Sequence, residues 1–157
     1  MSQRKQQQAG FTLVELVIVI LILGILSAVA LPRFANLGKD ARQAKVSAIY
    51  GSVRAATQIV RAASLVANSN STATGLVSLD GQNVNIVYGY PEASDAGIIT
   101  AAGLDKVNDK LNVAHAAGVT TIQVQGATTV ANCVVTFTQA TTASGALTAP
   151  TMDASGC

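Results

Sequence analysis

The sequence predicts an α+β protein in which one long amino-terminal helix, membrane-spanning in its first half, packs through its second half on a small antiparallel sheet. Three observations carry this. Residues 11–31 run for twenty-one positions with one charge, Glu15. Val46, Ile49, Val53, Ala56 and Val60 recur at three-four spacing, which places them on one face of a helix. Beyond residue 75 the chain changes to short β-branched runs separated by turn residues.

The apolar run comes first. As a helix its twenty-one residues cover about 31 Å, close to the hydrocarbon thickness of a bilayer. A carboxylate at that depth is strongly disfavoured unless it finds a partner, so Glu15 is the first functional candidate. Two processing schemes compete. In one, Arg4 and Lys5 belong to a signal-peptide n-region and Ala28-Val29-Ala30 is the cleavage site, which releases a binding module beginning at Leu31 and leaves Glu15 unexplained. In the other, cleavage falls after Gly10 and the apolar segment stays in the mature chain.

The helix continues past Pro32. Proline removes the N–H that would bond the Ala28 carbonyl, so a kink is expected there, and Gly24 is a second weak point; the two bracket a softer section. A helix over residues 11–66 would be about 80 Å long, more than a soluble head of this size needs. Its front half must therefore bury itself in membrane or in other copies. The basic residues Arg42, Lys45 and Arg54 fall largely off the apolar stripe, which should pack on a sheet.

"NSNSTATG", residues 68–75, ends the helix. A hairpin follows, with strands over 76–79 and 84–88 and Asp80-Gly81 as the turn. "GYPEASDAGIITAAG" reads as a loop with a brief helix, and residues 104–111 as another helical turn. "TTIQVQG" and "ANCVVTFTQ" form a second antiparallel pair, about 120–125 and 131–138. Residues 140–157 are rich in Thr, Ala, Ser and Gly and supply little core.

The formal charge of +2 comes from Arg4 and Lys5, and the remainder balances at eight basic against eight acidic side chains, which gives no support to nucleic-acid binding. The balance is uneven along the chain: Arg33, Lys39, Arg42, Lys45, Arg54 and Arg61 oppose only Asp40 after Pro32, and two basic oppose six acidic residues beyond Val66. A solvated basic face explains this, as does packing of one copy's helix on another's acidic surface. Two basic residues precede the apolar run and four follow within fifteen positions, so the positive-inside rule does not support a cytoplasmic amino terminus. Cys133 and Cys157 enclose the carboxy-terminal segment as an oxidised bridge would, which fits a compartment outside the cytoplasm; two buried free thiols are the alternative.

Nothing in the sequence supports catalysis. His115 has no partner nearby in sequence, and no phosphate-binding loop, dinucleotide fingerprint or metal-ligand spacing is present, so no cofactor is expected. Asp105 and Asp109 sit four apart and read as a solvated acidic helix face, with a calcium site as the alternative. Asn70-Ser71-Thr72 is a formal glycosylation acceptor.

"GFTLVELVIVILILGILSAVALP" resembles the amino terminus of type IV pilins: a leader ending in Gly, then Phe-Thr-Leu, a Glu five positions into the mature chain and a long apolar helix. The resemblance implies a leader over 1–10, cut between Gly10 and Phe11 by a membrane prepilin peptidase that methylates the new Phe11 amine. It implies a transmembrane and filament-core helix over 11–32, the rest of the helix over 33–66, and a β head over 67–157. Glu15 would then pair with a Phe11 amine, its own or a neighbour's, and act as a register device in assembly. "ATGLVSLDGQNVNIVYGYPEA" and "CVVTFTQATTASGA…GC" resemble mannose-sensitive haemagglutinin (MSHA) pilins, the major subunits of thin adhesive filaments; residues 96–128 match nothing in particular. The implied partners are other copies of the chain in a helical filament, an assembly ATPase, an inner-membrane platform protein and an outer-membrane secretin. The implied location is the inner membrane, then the cell surface. A type II secretion pseudopilin shares the amino terminus and is the alternative within the same reading.

Overall fold

The computed structural model describes residues 11–143 and 148–157, with backbone alone at 32, 33 and 35. The expected leader, Gly10 included, lies outside the described residues. Helix α1, Leu13–Val66, is continuous through Gly24 and Pro32. The described chain divides into two compact units, one ending at Gly38 and the other Lys39–Cys157, so the second half of α1 belongs to the head. The helix ends in a left-handed cap: Asn68 takes φ 51°, its N–H donates to the Leu65 carbonyl at 3.2 Å and Ser69 N–H to the Ser64 carbonyl at 3.0 Å. This is the Schellman arrangement with asparagine in the place glycine usually fills.

Within the head, two antiparallel sheets cover α1. The first has the order β1 (Gly75–Leu79), β2 (Gln82–Val87), β3 (Tyr90–Pro91). The second runs β4 (Leu111–Ala116), β5 (Val119–Val124), β6 (Val134–Thr138), β7 (Thr151–Asp153). The expected helix stripe is the buried one. Val46, Ile49, Val53 and Ala56 pack with Ile98, Ile122, Val135 and Phe137, while Val60 packs with Val77, Val84 and Ile86. The α+β architecture, a long helix followed by small antiparallel sheets, is as the sequence predicts.

Several local expectations give way. Residues 104–111 make a single turn and the start of β4, not a helix: Asp105 caps the turn, its Oδ1 accepting the N–H groups of Val107 at 2.9 Å and Asn108 at 3.0 Å, and Lys110 at φ 49° closes it at once, with Leu111 N–H donating to the Lys106 carbonyl at 2.9 Å. Tyr88 leaves the strand: with φ 50° at Tyr88 and 79° at Gly89 the chain makes a second two-residue turn like that at Asp80-Gly81, and β3 follows. The brief helix expected after Pro91 is a π-helical turn, Asp95–Ile99, started by Ser94, whose Oγ accepts from Gly97 N–H at 3.1 Å. The expected strand over 131–138 begins only at Val134, because Val130–Asn132 is a 3-10 turn. Three strands, β3, β4 and β7, were not expected at all.

Cys133 and Cys157 are bonded, and both lie in the main core at 0% and 2% exposure. The bridge fastens the tail beside β6, which β7 extends at the sheet edge. Replacing both cysteines by alanine should lower head stability by about 3.5 kcal/mol, the chain-entropy value for a loop of this length. A urea-unfolding midpoint unchanged by the double replacement would refute it.

Candidate functional site

The first half of α1 carries the site. Its most apolar eighteen-residue window has mean hydropathy 2.9 and none of it is buried. Phe11 is 87% exposed, and Leu13, Ile20, Leu23 and Leu26 stand open on several sides of the helix. A helix apolar all round is built for a surrounding apolar phase.

Glu15 is the exception to that surface, and Thr12 holds it. The Glu15 Oε2 accepts from Thr12 N–H at 3.0 Å and Thr12 Oγ1–H at 2.8 Å, and Glu15 N–H donates back to Thr12 Oγ1 at 3.3 Å. This is a capping box: Thr12 opens the helix, and the side chain three residues on closes over the orphan N–H groups. Thr12 was not among the residues expected to matter, although Thr-x-x-Glu ahead of an apolar run is itself a recognisable signal. The structure thus brings Glu15 to Thr12. Among the described residues no hydrogen bond joins Phe11 to Glu15; in the uncleaved chain the Phe11 nitrogen is a peptide N–H and carries no charge.

The helix cations of the head are used on its own carbonyls. Arg42 Nε donates to the Cys157 oxygen at 2.6 Å, Lys45 Nζ to the Asp109 oxygen, and Arg61 Nη1 to the Tyr88 oxygen at 3.1 Å while lying 4.7 Å from the centre of the Tyr90 ring. A solvated basic face therefore describes these three poorly: each ties the second half of α1 to a loop. Both side-chain ion pairs among the described residues converge instead on Asp95.

Asp95 joins Lys106 Nζ at 2.6 Å and His115 Nε2 at 3.0 Å, and the Lys106 ammonium first, then His115, hold its carboxyl below the usual aspartate range. His115 Nδ1 meets Thr120 Oγ1 at 2.9 Å. The row Asp95–His115–Thr120 ties the edge strand β4 to the π-helical turn. Thr120 is fully buried, which leaves its hydroxyl no access to a substrate. Asp105 and Asp109 bond within their own turn: the Asn108 and Val107 N–H groups lower the Asp105 pKa, and Asp109 Oδ2 accepts from Asp105 N–H at 3.0 Å. Their lone pairs serve the turn, not a shared helix face. Asn70 is half-buried against Gly89, where an added Cβ would come within 2.8 Å of the Asn70 Cα.

Comparison with known proteins bears on the amino terminus above all. The family model of the prokaryotic N-terminal methylation motif matches residues 5–31. The chain is 56% identical over 50 residues to the type IV narrow pilus major component PilA5 of Thermus thermophilus, covering 32% of this chain and 43% of that protein. It is 35% identical over 98 residues to the fimbrial protein EcpC of Eikenella corrodens, covering 62% and 63%. To the type IV major fimbrial protein FimA of Dichelobacter nodosus it is 41% identical over 54 residues, covering 34% and 35%. The matched segments thus span from about a third to under two thirds of these relatives. No solved structure matches the chain.

Proposed function

We propose that this chain, whose amino-terminal segment is that of a type IV pilin, is a structural subunit of a surface filament of the MSHA kind, used for adhesion and attachment. One observation carries the reading. The head closes its own core, whereas the front half of α1 leaves an apolar surface with a single carboxylate wholly uncovered. Such a surface is stable only in lipid or against other copies of itself, and a pilus subunit needs both in turn. In this scheme residues 11–32 hold the precursor in the inner membrane and later pack in the filament core. Gly24 and Pro32 let that section adapt, since proline leaves the Ala28 carbonyl without its helical donor. The assembly ATPase, platform protein and secretin belong to the same scheme. The hairpin and disulfide-region stretches that resemble MSHA pilins support the finer assignment.

Processing provides the test. The exported protein should begin at methylated Phe11, and replacing Gly10 by valine should leave uncleaved precursor in the inner membrane. Amino-terminal sequencing that finds Leu31 first would establish the secreted module instead. Ordinary filaments on Gly10→Val cells would overturn the proposed cleavage. Cells deleted for the chain should lose the filament seen by electron microscopy.

A further inference from the structure

Glu92 is a half-buried carboxylate that meets only neutral groups. Its Oε2 accepts from Asn85 Nδ2 at 3.0 Å and Ser94 Oγ at 2.8 Å. Among the described residues no donor reaches Glu92 Oε1 or Asn85 Oδ1, and neither ion pair includes Glu92. No half-buried side chain among the described residues hides an unpartnered oxygen, so these two oxygens are open to solvent. Glu92 and Asn85 line an open cavity of about 330 Å³. Leu76 supplies an apolar wall: it is exposed, and it sits directly across the β1–β2 pair from Asn85, one position along from the buried pair Val77 and Val84. Two free acceptors on hydrogen-bonded neighbours, beside an apolar wall, suit a fork of N–H donors on an aliphatic stem. That is a guanidinium; an ammonium would match the charge but not the fork.

The same head presents the complement on its opposite charge. Of its three arginines, Arg42 and Arg61 are bonded to the Cys157 and Tyr88 carbonyls, whereas Arg54 makes no hydrogen bond or ion pair among the described residues. Arg54 is exposed on α1, and Gly51, one turn before it, has open space where a side chain would stand. Within one head Arg54 and Glu92 are not paired, so each can be satisfied only from outside. We propose that the Glu92 cavity receives the Arg54 guanidinium of a second copy of this chain and thereby fixes one head against the next. The proposal rests on the reading of the chain as a filament subunit. One such pair is weak by itself, and a filament repeats it at every junction.

Cross-linking of filaments on cells tests this. Two chains are co-expressed, one with Gln58→Cys, an exposed position one turn beyond Arg54, and the other with Leu76→Cys at the cavity wall. Each carries one free thiol, so any product joining positions 58 and 76 links two copies. A short thiol-reactive bifunctional reagent should give that product, identified by peptide mass. Glu92→Gln in the Leu76→Cys chain keeps the carbonyl that accepts from Asn85 and Ser94 and removes only the charge; it should lower the yield about fivefold, as should Arg54→Gln in the other chain. Filaments that form without the 58–76 product would overturn the proposal, as would an undiminished yield in either charge variant. Condensation of Glu92 with Lys39 or Lys110 of a neighbouring copy by a water-soluble carbodiimide, in unaltered filaments, would overturn Arg54 as the occupant. Electron microscopy of the same cells tests the premise separately: absence of filaments containing the chain would overturn the subunit reading, and the docking proposal with it.

Discussion

Glu15→Gln should yield a subunit that is cleaved, methylated and resident in the membrane, yet cells expressing it should carry at least about tenfold fewer filaments. The structure makes this substitution a clean probe of charge. Glutamine keeps a side-chain carbonyl at the third helical position, so it can still accept the Thr12 N–H and hydroxyl that Glu15 Oε2 accepts at 3.0 and 2.8 Å. The helix start survives and only the negative charge is lost. In lipid that loss favours insertion, since the neutral amide is less disfavoured than a carboxylate. If the carboxylate serves to receive the amine created at Phe11 of a docking subunit, the variant inserts well and assembles badly. Co-expression with the unaltered chain should leave it under-represented in the filaments. Filaments of ordinary number and length would show that the charge is not needed, and the register role assigned to Glu15 would be wrong.

Gly97→Ala should destabilise the head by about 3 kcal/mol or more and lower its melting temperature by roughly 10 °C. Gly97 is buried in the π-helical turn, where an added Cβ would overlap the Glu92 carbonyl oxygen and come within 2.8 Å of its carbon and 2.9 Å of its Cβ. All three are parts of one residue held from several directions. Its carbonyl accepts from Ile98 N–H at 2.9 Å, and its Oε2 accepts from Asn85 Nδ2 at 3.0 Å and Ser94 Oγ at 2.8 Å. Glu92 cannot retreat without breaking the link between β2 and the turn, so the strain has nowhere inexpensive to go. Ile98 and Ile99 would be drawn out of the core with it. Thermal unfolding of the exported protein decides the matter; a melting temperature within about 3 °C of the unaltered chain would refute the packing argument.

The elements legible in the sequence are those whose cause lies within a few residues. The extent of α1 followed from an apolar run and a three-four stripe, because a 3.6-residue period places Val46, Ile49, Val53, Ala56 and Val60 on one side whatever they meet. The first hairpin followed from Asp80-Gly81, whose φ values of 54° and 79° are the conformation that pair favours. Two equivalent turns, Tyr88-Gly89 and Ala117-Gly118, were not legible, because tyrosine and alanine disfavour positive φ and take it here only under the pairing of β2 with β3 and β4 with β5. Strand β4, "LNVAHA", has no strong strand composition and exists because β5 offers it a partner. β7 exists because the disulfide holds the tail beside β6.

The site divides in the same way. Glu15 could be singled out from sequence because a lone carboxylate in an apolar run is anomalous by itself, and its Thr12 partner, three residues away, was within reach of a local signal. The partners of Arg42, Lys45, Arg61 and His115 were not. They lie 115, 64, 27 and 20 positions away, at Cys157, Asp109, Tyr88 and Asp95. Periodicity and turn chemistry act over a few bonds, and contacts at such separations arise only when the whole core closes and brings the groups within hydrogen-bond range.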